Sequence, residues 1–540
     1  MTGNPEVERE LRNILESTEN RFLTVRLNRT KANWDAMMMP SDDAIATSKE
    51  AELTYRKEVG DRPLFDEIGE RLADAGVQDV MLRRWAKLLR YEMAPNMYTV
   101  EVHESIVAKE KVLEAKLRQF RPEIEGTRST MADIHRIMNK SDDIEARKQA
   151  WEAGKTFGSE IVPSIVELTK ARNVAARSIG FPDFYRMHME LQEINETRMF
   201  SALSAFTAAT EEPFRRMKAQ LDRMLSDKFH VDAINLKPWY CSDPYFAKVP
   251  KVFETNVDSL YAERDPMEWA PKYFDGLGLP LERILKEDTI TRTSAHPKWE
   301  FTDMDGAGDL RLLVSPAPNK DGAEEMLRVL GKASYVARID KHLPMTLRRP
   351  AHPSMLEAVG RFFARRATDF EWMLNMFEMR GSQVRGLDKA MPIELRYQRI
   401  IEGRWRMVLV HFERGLYRDP DQNQQNRWWD LIERFQLLRR PPDRADMADW
   451  VMHPTLLLNP VQSHNYIIAE WHASQFATAM KKQLGLEEPV LWMDDARIGE
   501  WFKERIFKHG AMWEYNELIS TATGGSSRPD DFVSQFLTTS

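Results

Sequence analysis

Apolar residues recur at helical spacing along most of the chain. Leu11, Ile14, Leu15 and Phe22 fall on one helical face, as do Leu64, Ile68 and Leu72, and a three-to-four-residue period marks an amphipathic helix. From Pro5 to about Asn235 the pattern predicts helix after helix, with 105–120 and 142–172 repeating it between many charged positions. Met39-Pro40-Ser41-Asp42, Ala94-Pro95-Asn96 and Gly180-Phe181-Pro182-Asp183 break it as loops, because Pro and Gly do not continue a helix. Ser141-Asp142-Asp143 offers N-cap oxygens to the helix that follows. After the connection Leu236-Lys237-Pro238-Trp239-Tyr240, a further helix is predicted near Pro266–Leu277. The strand signals are Lys298–Thr302 and Leu310–Val314, joined by Met304-Asp305-Gly306-Ala307-Gly308 as in a short hairpin. Helix resumes through Glu371–Met379, Glu394–Tyr417 and Tyr466–Met480, and Gly524-Gly525-Ser526-Ser527 predicts a loosely held tail.

No internal repeat and no long linker divides this pattern. The expected organisation is therefore mainly α, one body of two halves. Residues 1–235 form a helical N-terminal half, and 236–520 hold a core at 321–358 and the Tyr466 helix, with 521–540 as a flexible tail.

Composition narrows the class. With 42% hydrophobic and 30% charged residues among 540, the chain can bury a large core. The net charge of -7 comes from acids and bases interspersed without a basic tract, which argues against nucleic acid as a partner. The single Cys241 permits no intrachain disulfide and suggests a reducing compartment. Met1–Asn20 is acidic and polar, and no run of about 18 apolar residues occurs, so a cytoplasmic protein with no membrane partner is expected.

The candidate chemistry lies at 321–358, read as a helix, the connection Lys341-His342-Leu343-Pro344, and a second helix entered at His352-Pro353-Ser354. In an H-E-x-x-H helix, two histidines four apart present imidazoles to zinc, and the Glu between them polarises the attacking water. Leu327-Arg328-Val329-Leu330-Gly331-Lys332-Ala333 fits that frame with Arg328 and Lys332 in place of the histidines and Val329 in place of the base. Neither cation offers a lone pair to a metal, and Val takes no proton. Glu324, Arg328 and Lys332 also stand at i, i+4 and i+8, which equally describes a solvated, ion-paired helix face. Elsewhere, His103-Glu104 opens like a zinc motif, but Val107 stands where the second His belongs. His464 and His472 lack an intervening ligand, and Cys241 lacks a partner motif and reads as a packed thiol. Phosphate loops and a G-x-S-x-G elbow are absent from the sequence.

Further stretches join the Arg328 segment in one pattern. They are Arg172-Asn173-Val174-Ala175-Ala176-Arg177-Ser178-Ile179-Gly180-Phe181-Pro182-Asp183-Phe184-Tyr185, Leu236-Lys237-Pro238-Trp239-Tyr240 with Ser242-Asp243-Pro244-Tyr245-Phe246, and Pro460-Val461-Gln462-Ser463-His464-Asn465-Tyr466. From about residue 140 to 480 the chain resembles bacterial relatives of angiotensin-converting enzyme and the oligopeptidases. The resemblance implies a peptidyl-dipeptidase-like helical ellipsoid with a deep central channel and a small β element before the former zinc helix. It places Glu357 at the third zinc ligand and Tyr466 at the transition-state-stabilising Tyr. His453, if a short gap is allowed, falls at a substrate-binding His. Both histidines and the base are replaced while Glu357 and Tyr466 remain.

The expectation is a metal-free, cofactor-free site that binds a small-molecule or short-peptide ligand bearing a carboxylate. Lys332, Arg328, Glu357 and Tyr466 would act on the ligand, with His453, His352 and Glu324 contributing to binding. His352 before Pro also reads as a helix-entry residue. The alternatives are a non-catalytic pseudopeptidase that captures a peptide or partner, and a zinc peptidase using other ligands.

Overall fold

The computed structural model describes residues 3–39, 41–253, 255, 257–286, 289–292, 299–315, 317–380, 385–445, 447–451, 456 and 459–537. It is 68% helix and 3% strand, a mainly α protein with small sheets, as the periodicity predicts. No described helix is long and apolar enough to cross a membrane.

Contacts divide the chain into two compact units. Residues 1–104, 257–378 and 472–527 make one, and 105–256, 379–471 and 528–540 make the other. Each unit draws on both sequence halves expected at 1–235 and 236–520. Helical periodicity marks which faces need cover; it does not say which distant face covers them.

The first unit begins with four helices whose starts are written in the sequence. Asn4 accepts from the Glu6 N–H ahead of Pro5–Met38, and Ser41 from Ala44 N–H ahead of Asp42–Val59. Asp61 and Asp79 cap Arg62–Ala73 and Val80–Met93 in the same way. Each cap satisfies an amide that the helix leaves without an internal acceptor. The apolar faces meet around Leu11, Leu15, Phe22, Ile68, Trp85 and Leu89, with Leu347 and Ala511 in the same cluster.

A three-stranded sheet precedes the helix that carries Arg328. Leu310–Val314 is its central strand, antiparallel to Glu300–Asp303 and parallel to Ile290–Arg292. The expected hairpin is therefore present, starting at Glu300; Lys298 lies outside the described residues. Its turn needs left-handed backbone at Gly306 (φ 64°) and Gly308 (φ 102°), which glycine adopts without penalty. Asp303 Oδ1 accepts from both their amides. The third strand is three residues long, too short for an alternating pattern to announce it.

Lys320–Val336 is capped by Asn319, which accepts from Gly322 N–H at 2.8 Å. Pro353–Ala364 is capped by His352, whose Nδ1 accepts from Ser354 N–H at 3.1 Å. These helices pack through two glycines. A Cβ on Gly331 would stand 2.4 Å from the Phe363 ring, and one on Gly360 would stand 3.0 Å from the Arg328 carbonyl and 2.9 Å from the Lys332 stem.

The second unit is built from long helices, among them Gly158–Ser178, Glu196–Phe229, Leu387–Arg418 and Gln424–Gln436. Phe214, Leu221, Cys241, Ile400 and Ile401 share one of its apolar clusters. The expectation of a loose tail needs correction. Tyr515–Thr523 and Asp530–Leu537 are helices, and Phe532 is buried with its ring 5.8 Å from Phe206. The Gly-Ser stretch is a short break before an apolar face that finds cover.

Candidate functional site

The close approach at Gly331 and Gly360 brings side chains from the two helices of the first unit onto one carboxylate. Arg328 Nη1 donates to Glu357 Oε1 and Oε2 at 3.1 and 3.0 Å. Lys332 Nζ donates to Glu357 Oε1 at 2.5 Å. Glu357 thus takes one cation from each of two successive turns of the facing helix. The side chains keep only 20% (Arg328), 15% (Lys332) and 12% (Glu357) of their accessible surface, so the charges are largely withdrawn from water and depend on each other.

Arg328 is held from both sides. Its Nε and Nη2 donate to the Glu325 carboxylate at 2.9 and 2.7 Å. The guanidinium therefore spends Nε, Nη1 and Nη2 on protein carboxylates, in the fork geometry that suits an arginine. Lys332 makes its hydrogen bond to Glu357 alone among the described residues, and an ammonium has three N–H donors. Lys332 is the member whose nitrogen has the most donors to spare.

The electrostatics follow from this packing. Burial by itself would raise the Glu357 carboxyl, but Lys332, Arg328 and Arg361 outweigh it and hold the group down at about 2. Burial lowers the Lys332 ammonium from its ordinary value, with Glu357 pulling it back and Arg328 adding to the fall. Burial likewise disfavours the Arg328 cation, yet Glu325 and Glu357 carry it above the usual arginine range. The cluster joins a carboxylate held ionised to a fixed guanidinium and to a lysine whose charged form burial disfavours and Glu357 favours.

The other expected site residues fall in different settings. Glu324 is not the carboxylate that Arg328 uses on its own helix; Glu325, three residues away, takes that place. The i, i+4 choice fails because the guanidinium turns toward the Glu357 helix, and from there the i−3 side chain is within reach. Glu324 instead raises the Tyr261 hydroxyl's pKa, second to burial. His352 is a helix cap whose ring lies 4.6 Å from that of Tyr515, tilted by 32°. Tyr466 belongs to the second unit, where the Arg406 guanidinium lies 4.5 Å over its ring. His453 lies outside the described residues.

Sequence reasoning missed Glu325 and Arg361. Each sits one helical turn from a residue it did find, Glu325 before Arg328 and Arg361 after Glu357, so the signal was available in the period of the helix. Outside the cluster, His472 donates to or accepts from Ser527 Oγ at 2.8 Å, and burial lowers it to about 3. Burial also pushes the Cys241 thiol up to about 12, which leaves it inert. Among the described residues, no group of three or more His, Cys, Asp or Glu is arranged to hold a metal ion.

No protein-family model matches the chain, and no curated protein matches it.

Proposed function

We propose that the chain is a zinc-independent, repurposed member of the metallopeptidase-like group it resembles, and that Lys332 is its ligand-binding cation. The observation that carries this reading is the shared counter-ion. The residues at both expected histidine positions converge on the carboxylate at the expected third ligand position. A guanidinium and an ammonium take up the positive charge that a zinc ion would supply in such a frame, and they attract the same partners, carboxylate and carbonyl oxygens.

The roles divide by spare donors. Arg328, locked between Glu325 and Glu357, positions the carboxylate. Glu357 keeps Lys332 protonated and directed. Lys332 offers its remaining N–H groups to an oxygen of a small carboxylate-bearing or peptide-like ligand. On a substrate carbonyl such a fixed ammonium stabilises developing negative charge, the contribution of an oxyanion-binding group. With Glu357 held near 2, proton abstraction is not its work. A second reading, a non-catalytic pseudopeptidase that only captures its ligand, draws support from the engagement of all three Arg328 nitrogens by protein carboxylates.

Metal analysis of untagged protein, incubated with zinc and desalted, tests the reading. The expected result is no stoichiometric zinc. One tightly held zinc per chain would overturn it and call for peptidase assays. Thermal scans with short peptides then separate the two readings: both expect stabilisation that Lys332→Met removes, and turnover of the peptide belongs to the first alone.

A further inference from the structure

The first unit also holds a serine against a histidine, on elements that the cationic cluster does not use. His472 lies on the helix Ser463–Leu484, and its Nε2 stands 2.8 Å from Ser527 Oγ. Two further side chains of that helix tie down the same stretch. Gln475 Nε2 donates to the Ser526 carbonyl and Gln483 Nε2 to the Ala522 carbonyl, each at 2.9 Å. The helix Tyr515–Thr523 ends at Gly524, whose left-handed backbone (φ 80°) turns the chain into Gly525-Ser526-Ser527. Glycine takes that conformation without penalty.

The two residues differ in their access to water. His472 is wholly buried, with the Tyr515 and Phe476 rings 6.1 and 6.5 Å from its own, whereas Ser527 is half-buried. A hydroxyl within reach of solvent, hydrogen-bonded to a base that is not, is an arrangement that activates a nucleophile. Burial keeps the imidazole neutral through the ordinary pH range, and a neutral imidazole with its proton on Nδ1 presents a lone pair at Nε2. Nδ1 is buried and has no partner among the described residues, so no carboxylate there steadies the imidazolium once a proton arrives. Such a base is weak. It suits acyl groups whose leaving group departs with little help, activated esters rather than amides. The amides of Gly525, Ser526 and Ser527 donate to no protein acceptor among the described residues, and such N–H groups are what a developing oxyanion requires.

We infer that Ser527 is a nucleophile and His472 its general base, in a site that cleaves small activated acyl esters. Ser527 Oγ bonds to the acyl carbon while its proton passes to His472 Nε2. The bond from that carbon to the leaving oxygen then breaks, and the departing oxygen takes the proton from Nε2. Water completes the cycle: its oxygen bonds to the acyl carbon, its proton goes to Nε2, and the acyl–Oγ bond breaks with return of that proton to Ser527. The products are the acid and the alcohol. The inference stands on residues apart from Lys332, Arg328 and Glu357 and does not depend on the function proposed for them.

Labelling of the full-length chain with diisopropyl fluorophosphate, mapped by peptide mass spectrometry, reads this site directly. Ser526 is the internal control, since it is the more exposed hydroxyl and His472 bonds its neighbour instead. The adduct should form on Ser527 at least about 100-fold faster than on Ser526, the scale of general base catalysis. Its rate should stay flat from pH 5 to 8, because the base is neutral throughout. His472→Gln keeps a side-chain donor for the Ser527 hydroxyl but accepts no proton, so its Ser527 adduct should slow by a similar factor. Equal rates at the two serines would overturn the inference, as would labelling of Ser527 at the original rate in His472→Gln. Should that variant not fold, the comparison of the two serines in the unaltered chain still decides. Hydrolysis of p-nitrophenyl acetate is the second measurement: Ser527→Ala should abolish it, and an undiminished rate would overturn the inference. Neither readout involves zinc or a ligand of Lys332, so failure here leaves the Lys332 reading standing, and the reverse.

Discussion

Two buried glutamates in this chain meet opposite fates. Glu357, in the first unit, is held down at about 2, whereas Glu413, in the second, is raised to about 7. Burial pushes both upward. Glu413 is 1% exposed and is met by a dipole, the Val461 N–H, which donates to its Oε1 at 2.5 Å. Arg172, a cation that opposes burial there, acts on it more weakly than burial or the Val461 N–H. Glu357 is met by full charges on Lys332 and Arg328. The difference teaches that in these interiors hydrogen-bond donors moderate the desolvation of a carboxylate, while adjacent cations reverse it.

The largest effect is expected from removing the charge that holds the first cluster together. Glu357→Gln leaves Lys332 and Arg328 facing each other with one carboxylate, Glu325, still on Arg328. Breaking a buried pair in this way costs about 3–5 kcal/mol. Urea unfolding at pH 7 measures it, and a loss below about 1 kcal/mol would mean that the cluster behaves as a surface ion pair.

Glu413 supplies the next test, through pH. Its carboxyl holds a proton more tightly in the folded chain (about 7) than its ordinary value of 4.5. Stability from this group is therefore fully present below about pH 4.5 and is lost as pH rises through 7. The shift corresponds to at most about 3 kcal/mol. Glu413→Gln does not titrate, so the fall in stability between pH 5 and 8 should be smaller in the variant. Equal falls in both proteins would show that Glu413 ionises normally. The group also fastens Val461, a β-branched residue held at φ 57°, a conformation that needs such an external hold.

These regions were unequally legible from sequence. Arg328, Lys332 and Glu357 could be grouped because helical spacing and a family frame put them in register, and the structure does bring them together. Gly331 and Gly360 gave no such signal, since the need for a missing Cβ arises only when Phe363 and the Arg328 carbonyl arrive from another helix. Glu413 was unreadable for a related reason. Its neighbour Val461 lies far along the chain, and nothing local to Leu387–Arg418 announces that one glutamate in it will lose water altogether.

The smallest effect sharpens the comparison most, because it concerns one guanidinium with two carboxylate partners. Arg328 makes a two-point contact with Glu325 and also binds both oxygens of Glu357. Counting bonds would rank the partners as equals. Exposure ranks them otherwise: the Glu325 side chain keeps 34% of its surface and Glu357 keeps 12%. Water can replace much of what Glu325 contributes, and an i, i+3 pair with an exposed member is worth well under about 1 kcal/mol. Glu325→Gln should therefore lower unfolding stability by about 0.5 kcal/mol, several-fold less than Glu357→Gln, and the loss should shrink further in 1 M salt. A loss matching that of Glu357→Gln would show that Arg328 needs both carboxylates to stay folded inward, and that the cluster's working unit is a pair of acids rather than Glu357 alone.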